Sequence, residues 1–283
     1  MRHFSTLNEV TAIADARGIA LGAFEFWSFE VARAIVSAAE ELDVPVILQC
    51  GKGEIARMGG EEATVQTAYF ASRHSSVPVA LHLDHATAYE DCNAAILAGF
   101  SSVMIDASAQ PYESNLSLTR RVCMRAHSVG VSCEGELGRL AGEEGDIIVQ
   151  GPEAAQTDPD EALDYVARTG IDALAVSIGT AHGAYTFEPV LNIARLDAIK
   201  SKVHIPIVLH GGSGTPAAQV QESIRHGIRK INICTDVQTA MGRAYVEAQG
   251  RPGFKYSQEL WGEGEAAARK VALEKMRMFC LLN

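Results

Sequence analysis

Eight short apolar runs rich in β-branched residues, separated by stretches of helical periodicity, constrain this chain more than any other feature. They are "IALGAF" (19–24), "VPVILQC" (44–50), "VPVALHLD" (77–84), "SSVMIDA" (101–107), "VSCEGEL" (131–137), "ALAVSIG" (173–179), "IPIVLHGG" (205–212) and "KINICTD" (230–236). Between them lie segments such as "FEVARAIVSAAEEL" (29–42), "TVQTAYFASRHS" (64–75), "SLTRRVCMRAHSVG" (117–130) and "DEALDYVARTG" (160–170), some closed by a glycine after the last turn. Such alternation predicts a parallel sheet with helical crossovers, and eight units in 283 residues is the arithmetic of an α/β (β/α)8 TIM barrel. A doubly wound open sheet is the rival, but it would show a glycine-rich dinucleotide turn after its first strand, and "GAFEFWSF" is not one. "STLNEVTAIADARG" (5–18) and the tail from about Tyr256 read as extra N- and C-terminal helices, so the expectation is a single barrel domain over 1–283.

The chain is 47% hydrophobic, enough for a large core, yet it has no run of about 18 apolar residues. Its start, "MRHFSTLNEV", lacks the basic and apolar regions of a secretory signal, so the expected location is the cytoplasm, with no membrane partner. A formal charge of −11 argues against nucleic acid or an anionic membrane surface as partner. An anionic substrate would then need a local positive site, from a metal or from backbone N–H groups. The six cysteines are scattered without a Cys-x-x-Cys pair and read as reduced core residues.

In a barrel, chemistry sits at the C-terminal ends of the strands. The ionisable groups gather there: Asp84 and His85 where the third run ends, Asp106 where the fourth ends, Glu134 and Glu136 in the fifth, His182 after the sixth and His210 in the seventh. One such histidine reads as a satisfied core residue. Three at equivalent strand ends make a three-nitrogen site with an open position, the pattern of a catalytic zinc. Asp106 and Glu136, on strands between them, suit a second metal position or the orientation of a ligating histidine. Gly211, Gly212 and Gly214 leave backbone N–H groups uncovered, and Ser213, Asn232 and Thr235 add short donors, where barrels commonly hold a phosphate. "RLAGEEGD" (139–146) has the composition of a mobile loop from which Glu143 or Glu144 would swing a carboxylate over the mouth; a solvated acidic turn reads equally well.

"LHLDHA", "SSVMIDAS", "CEGELGRLAGEEGD", "IGTAHGAY", "IVLHGGSG" and "KINICTD", in this order and spacing from about residue 40 to 240, resemble the class II, zinc-dependent ketose-bisphosphate aldolases, particularly the tagatose- and fructose-1,6-bisphosphate branch. The resemblance implies that His85, His182 and His210 bind Zn²⁺, with Asp106 and Glu136 as the alternative metal position. It implies that Asp84 moves the proton of the C4 hydroxyl and that Glu144 exchanges the C3 proton of the dihydroxyacetone phosphate unit. Gly183, Gly211, Gly212, Ser213, Asn232, Ile233, Cys234 and Thr235 would hold that unit's phosphate, with a monovalent cation, Na⁺ or K⁺, nearby. A homodimer or homotetramer acting on a small phosphorylated sugar is the implied assembly and partner. No lysine ends the sixth run, where Schiff-base aldolases of this fold place one, which favours the metal route.

One stretch departs from the family pattern. Where the family usually reads Gly-Ala-Phe-Asn and then a further Asn before Leu-Glu, this chain has "GAFEFWSFE" (22–30), placing Glu25 and Trp27 at the mouth of the first strand. Cys50, where a serine is common, is a second departure. A carboxylate near the distal end of the sugar would repel a second phosphate, so the expected aldehyde half is unphosphorylated, shorter or differently hydroxylated. Two other functions remain in view: a metal-dependent hydrolase on the same barrel, although its usual His-x-His is missing from the first strand, and a non-catalytic companion subunit of an aldolase.

Overall fold

A computed structural model describes residues 3–138, 141–144, 147–149, 156–182 and 189–282, with the backbone alone described at 141–144, 147–149, 181 and 182. Its strands are β1 (Leu21–Glu25), β2 (Val46–Cys50), β3 (Val79–Ala86), β4 (Ser102–Ile105), β5 (Ser132–Leu137), β6 (Ala141–Glu144), β7 (Ile147–Val149), β8 (Ala173–Val176), β9 (Ala181–His182), β10 (Ile207–Leu209) and β11 (Ile228–Ile233). Eight of them close a parallel barrel in the order β1-β11-β10-β8-β5-β4-β3-β2, and these eight are the runs expected from the sequence.

The helices are α1 (Leu7–Arg17), α2 (Phe29–Leu42), α3 (Lys52–Met58), α4 (Glu61–Ser72), α5 (Tyr89–Ala98), α6 (Tyr112–His127), α7 (Pro159–Thr169), α8 (Ile193–Lys200), α9 (Ala217–Arg225), α10 (Thr235–Gln249) and α11 (Gln258–Phe279). Local chemistry sets their limits. α1 begins at a capping box, in which Thr6 and Glu9 each bond the other's backbone N–H, and ends at Gly18, whose φ of 66° suits a residue without Cβ. α2 starts where the Ser28 side chain accepts from Val31 N–H, and it buries Val31, Ala32, Ile35, Val36 and Ala39 as one stripe. α11 packs against α2 and α10, closing the helical ring.

The barrel interior and the strand–helix layer form one apolar core, from Leu21 and Phe24 on β1 to Ile231 and Ile233 on β11. Burying each large apolar side chain contributes about 1.5–3 kcal/mol, so the strands are fixed in place before polar groups are considered. The segment expected as a mobile loop is partly built otherwise. Residues 141–144 form β6, antiparallel to β7 and parallel to β9, in a small sheet of order β7-β6-β9. The β-branched run Ile147–Val149 supplies the pairing partner that the glycines and glutamates alone did not reveal.

Candidate active site

β3 reaches the mouth of the barrel in an irregular turn of backbone. Leu83 pairs with Val103 and Ala86 with Ile105, so three steps along β3 oppose two along β4. His85, inside this bulge, has φ 44°, in the left-handed region that residues with a Cβ adopt rarely. Regular alternation would send Asp84 and His85 to opposite faces. The bulge instead brings one donor atom each from Asp84, His85 and His210 within 4.8 Å of one another.

The two imidazoles are held by carboxylates. His85 Nδ1 lies 3.1 Å from Asp106 Oδ2, and His210 Nε2 lies 3.0 Å from Glu134 Oε1. The ring centroids are 4.6 Å apart at 73°. Burial raises the Asp106 carboxyl, but the hydrogen bond and charge of His85 and the Ser108 donors outweigh it and hold the group well below the usual carboxylate range. With His85 Nδ1 turned to Asp106 and His210 Nε2 to Glu134, the nitrogens a metal would take are His85 Nε2 and His210 Nδ1. His210 Nδ1 faces Glu136 Oε2 at 3.5 Å. A second cluster, His85, Asp106 and Glu136, likewise brings one donor atom from each residue within 4.8 Å.

Imidazole nitrogens fixed by carboxylate partners, beside further carboxylate oxygens, form a donor set that fits Zn²⁺. His182 belongs to β9, whose backbone pairs with Gly142, but its side chain lies outside the described residues. The same holds for Glu143 and Glu144 on β6, and Gly183 lies outside entirely.

Asp84 is buried and receives N–H groups from two amides. Asn232 Nδ2 donates to Oδ1 at 3.1 Å and Oδ2 at 3.2 Å, and Gln49 Nε2 donates to Oδ2 at 2.9 Å. The same Gln49 nitrogen donates to Glu25 Oε2 at 3.1 Å, and Gly51 N–H donates to Glu25 Oε1 at 2.6 Å. Burial, then the charges of Asp84 and Glu54, push the Glu25 carboxyl well above its ordinary range, against the pull of its two donors. Trp27 is half-buried against the core. Cys50 is fully buried with its Sγ donating to Phe26 O at 3.2 Å, so on β2 it is Gln49, not Cys50, that reaches Asp84.

Beneath these groups lies a buried ion pair that the sequence reading missed. Lys230 Nζ is 2.9 Å from Glu134 Oε2, with both side chains wholly inaccessible. His82, also buried, bonds Ser102 Oγ through Nδ1 at 2.8 Å and stands 3.6 Å from Glu134 Oε2. Burial and the nearby Lys230 charge lower its proton affinity well below the ordinary histidine value, so it is a neutral support. Lys230, at the head of "KINICTD", and Gln49, a lone amide in an apolar run, were the available signals.

At the ends of β10 and β11, Gly212 is confined. A Cβ there would meet Ile231 Cγ2 at 2.4 Å and Asn232 O at 2.9 Å. Gly212 N–H donates to Asn232 O at 3.2 Å, and Ser213 Oγ accepts from Asp236 N–H at 3.3 Å in the first turn of α10. Cys234 stands at the N-cap of that helix, Thr235 opens it, and Ile233 is buried in β11. Gly211, Gly212, Ser213 and the start of α10 thus share one corner, while the Asn232 side chain turns to Asp84.

The family model described as class II fructose-bisphosphate aldolase matches residues 5–282. The fructose-bisphosphate aldolase of Geobacillus stearothermophilus is 41% identical over 263 residues, covering 92% of this chain and 91% of that protein. A probable fructose-bisphosphate aldolase of Bacillus subtilis (strain 168) is 39% identical, covering 97% and 96%. Among solved structures, the YdjI aldolase of Escherichia coli K12 superposes with a TM-score of 0.86 at 34% identity, covering 98% of this chain and 97% of that one.

Proposed function

The chain belongs to the class II fructose-bisphosphate aldolase family, and on that premise we propose that it cleaves a ketose phosphate reversibly between C3 and C4, giving dihydroxyacetone phosphate and an aldehyde, with zinc as its metal. It is an aldolase, a carbon–carbon lyase. The observation that carries the proposal is the Asp84 carboxylate, presented by the amides of Gln49 and Asn232 beside the His85 and His210 rings.

His85, His182 and His210 would hold the zinc, with Asp106 and Glu136 as an alternative position. When bound there, the metal supplies a Lewis acid for the negative charge that forms on the ketone oxygen as the bond breaks. Asp84 accepts the proton of the C4 hydroxyl. The amide N–H groups of Gln49 and Asn232 donate to its two oxygens and fix the direction of the carboxylate. Glu144, on the strand paired with that of His182, exchanges the C3 proton of the dihydroxyacetone phosphate half. Backbone N–H groups of Gly183, Gly211 and Ser213, with Ile233 and the N-terminus of α10 at Cys234 and Thr235, receive the phosphate, while Gly212, whose own N–H is committed to Asn232 O, lets the backbone come close.

Six free cysteines suit a reducing compartment, and among the described residues no helix is long and apolar enough to cross a membrane. By resemblance to the family, the proposed assembly is a homodimer or homotetramer of a single-domain chain, and the proposed location is the cytoplasm. Its test is a screen of ketose phosphates for dihydroxyacetone phosphate release, with and without EDTA. Release that EDTA abolishes and added zinc restores is expected; release that survives metal removal refutes the metal route.

A further inference from the structure

We infer that the site recognises an uncharged, hydroxyl-bearing aldehyde half with no distal phosphate, and that Glu25, supported by Gln49 and Glu54, sets this specificity. The inference rests on the aldolase reading above, which puts the C4 hydroxyl at Asp84 on β3, from which β2 and then β1 lead round the mouth to Glu25. Glu25 is joined to Asp84 through one nitrogen of Gln49, and it is the Cα partner of Gln49 between β1 and β2. A substituent past C4 that runs from Asp84 along Gln49 meets Glu25.

Three observations describe what can bind at that place. First, among the described residues it offers no cation. Glu25 and the half-buried Glu54 flank Gly51, where a Cβ would stand 3.2 Å from Glu54 Oε2 and 3.7 Å from Glu25 Oε1. Among the described residues neither carboxylate has an ion-pair partner, and the neighbouring Lys52 is 2.8 Å from Asp91. Second, the N–H of Gly51, at the N-cap of α3, donates to Glu25 at 2.6 Å. The protein's own carboxylate therefore occupies the position an incoming anion would need. Third, Gln49 Oε1 is buried with no hydrogen-bond donor, although Gln49 Nε2 serves both carboxylates. A buried amide oxygen left unsatisfied calls for a donor from a ligand.

Hydroxyl groups meet all three conditions: they donate to Gln49 Oε1, exchange hydrogen bonds with Glu25, and add no charge. A phosphate would add negative charge beside Glu25 and Glu54 with no counter-charge among the described residues. The upward-shifted Glu25 carboxyl is consistent with this environment, which already disfavours negative charge.

The test uses the zinc-loaded enzyme and compares kcat/KM for fructose 1-phosphate and tagatose 1-phosphate with that for the corresponding 1,6-bisphosphates. The expected preference for the monophosphates is at least about tenfold, the scale on which an unmatched buried polar contact discriminates. Glu25→Asn, and independently Glu54→Gln, should raise kcat/KM on the bisphosphates and narrow that ratio. A wild-type preference for the bisphosphates overturns the inference, as do folded variants whose ratio is unchanged. Should Glu25→Asn misfold, the wild-type ratio and Glu54→Gln still decide. No dihydroxyacetone phosphate from any ketose phosphate refutes the aldolase reading itself and this inference with it, a result distinct from a preference for the bisphosphates.

Discussion

Asn232 on β11 grips Asp84 on β3 across the barrel mouth, its single Nδ2 reaching both carboxylate oxygens at 3.1 and 3.2 Å. The two residues are 148 apart in sequence, so closure of the barrel brings them together. Asn232→Ala should therefore lower kcat by roughly 10- to 100-fold through misplacement of the acid/base, with zinc content unchanged. Stopped assays and metal analysis on one preparation check this; an unaltered kcat would mean that Gln49 alone suffices.

The Lys230–Glu134 pair lies wholly inside the barrel beneath His210. Removing one partner leaves a buried charge uncompensated, so Lys230→Met should cost roughly 3–5 kcal/mol of stability in urea unfolding. The double variant Lys230→Met/Glu134→Gln should regain part of it. If the single substitution leaves the unfolding midpoint in place, the pair carries no structural role.

Gly212 has no room for a methyl group, because a Cβ would stand 2.9 Å from the backbone oxygen of Asn232. Gly212→Ala should shift both the phosphate corner and Asn232, raising KM and lowering kcat together, by about 100-fold in kcat/KM. A change confined to KM would uncouple this corner from Asp84.

On the opposite end of the barrel, His127 Nε2 stands 2.8 Å from Asp172 Oδ2. Burial lowers the His127 pKa, but the hydrogen bond and charge of Asp172 outweigh it and raise it above the ordinary 6.5. A folded-state value above the unfolded one contributes stability that is fully present below about pH 6.5 and is lost as pH rises through the raised value. The imidazole is nearly half exposed, so the effect is under about 1 kcal/mol after solvent screening. Urea midpoints of wild type and His127→Gln should differ at pH 5.5 and converge by pH 8.5; a constant difference would assign the contact to packing.

The eight barrel strands were legible because most are short apolar runs that recur between helical segments, and α2 was legible to its last residue because Ser28 and Asp43 punctuate it. Asp84, His85 and His210 were legible because charge at the end of an apolar strand has few structural uses. Gln49 and Lys230 were hidden for the converse reason: their partners lie on other strands, and only closure of the barrel brings an amide between two carboxylates or a lysine against Glu134. The small sheet of β6, β7 and β9 was missed because its strands are two to four residues long, too short to show a period. Glu25 was recognised as a departure, but its bond to the Gly51 N–H, and hence its place at the start of α3, needed the structure.

The account stands or falls on the division of labour between Asp84 and the histidines. Zinc content and dihydroxyacetone phosphate release should be measured on the same sample of Asp84→Ala. Roughly one zinc per chain with cleavage reduced about 10²- to 10⁴-fold is predicted, since a positioned proton acceptor is removed while the imidazoles remain. Full cleavage, or loss of the zinc together with the activity, would contradict it.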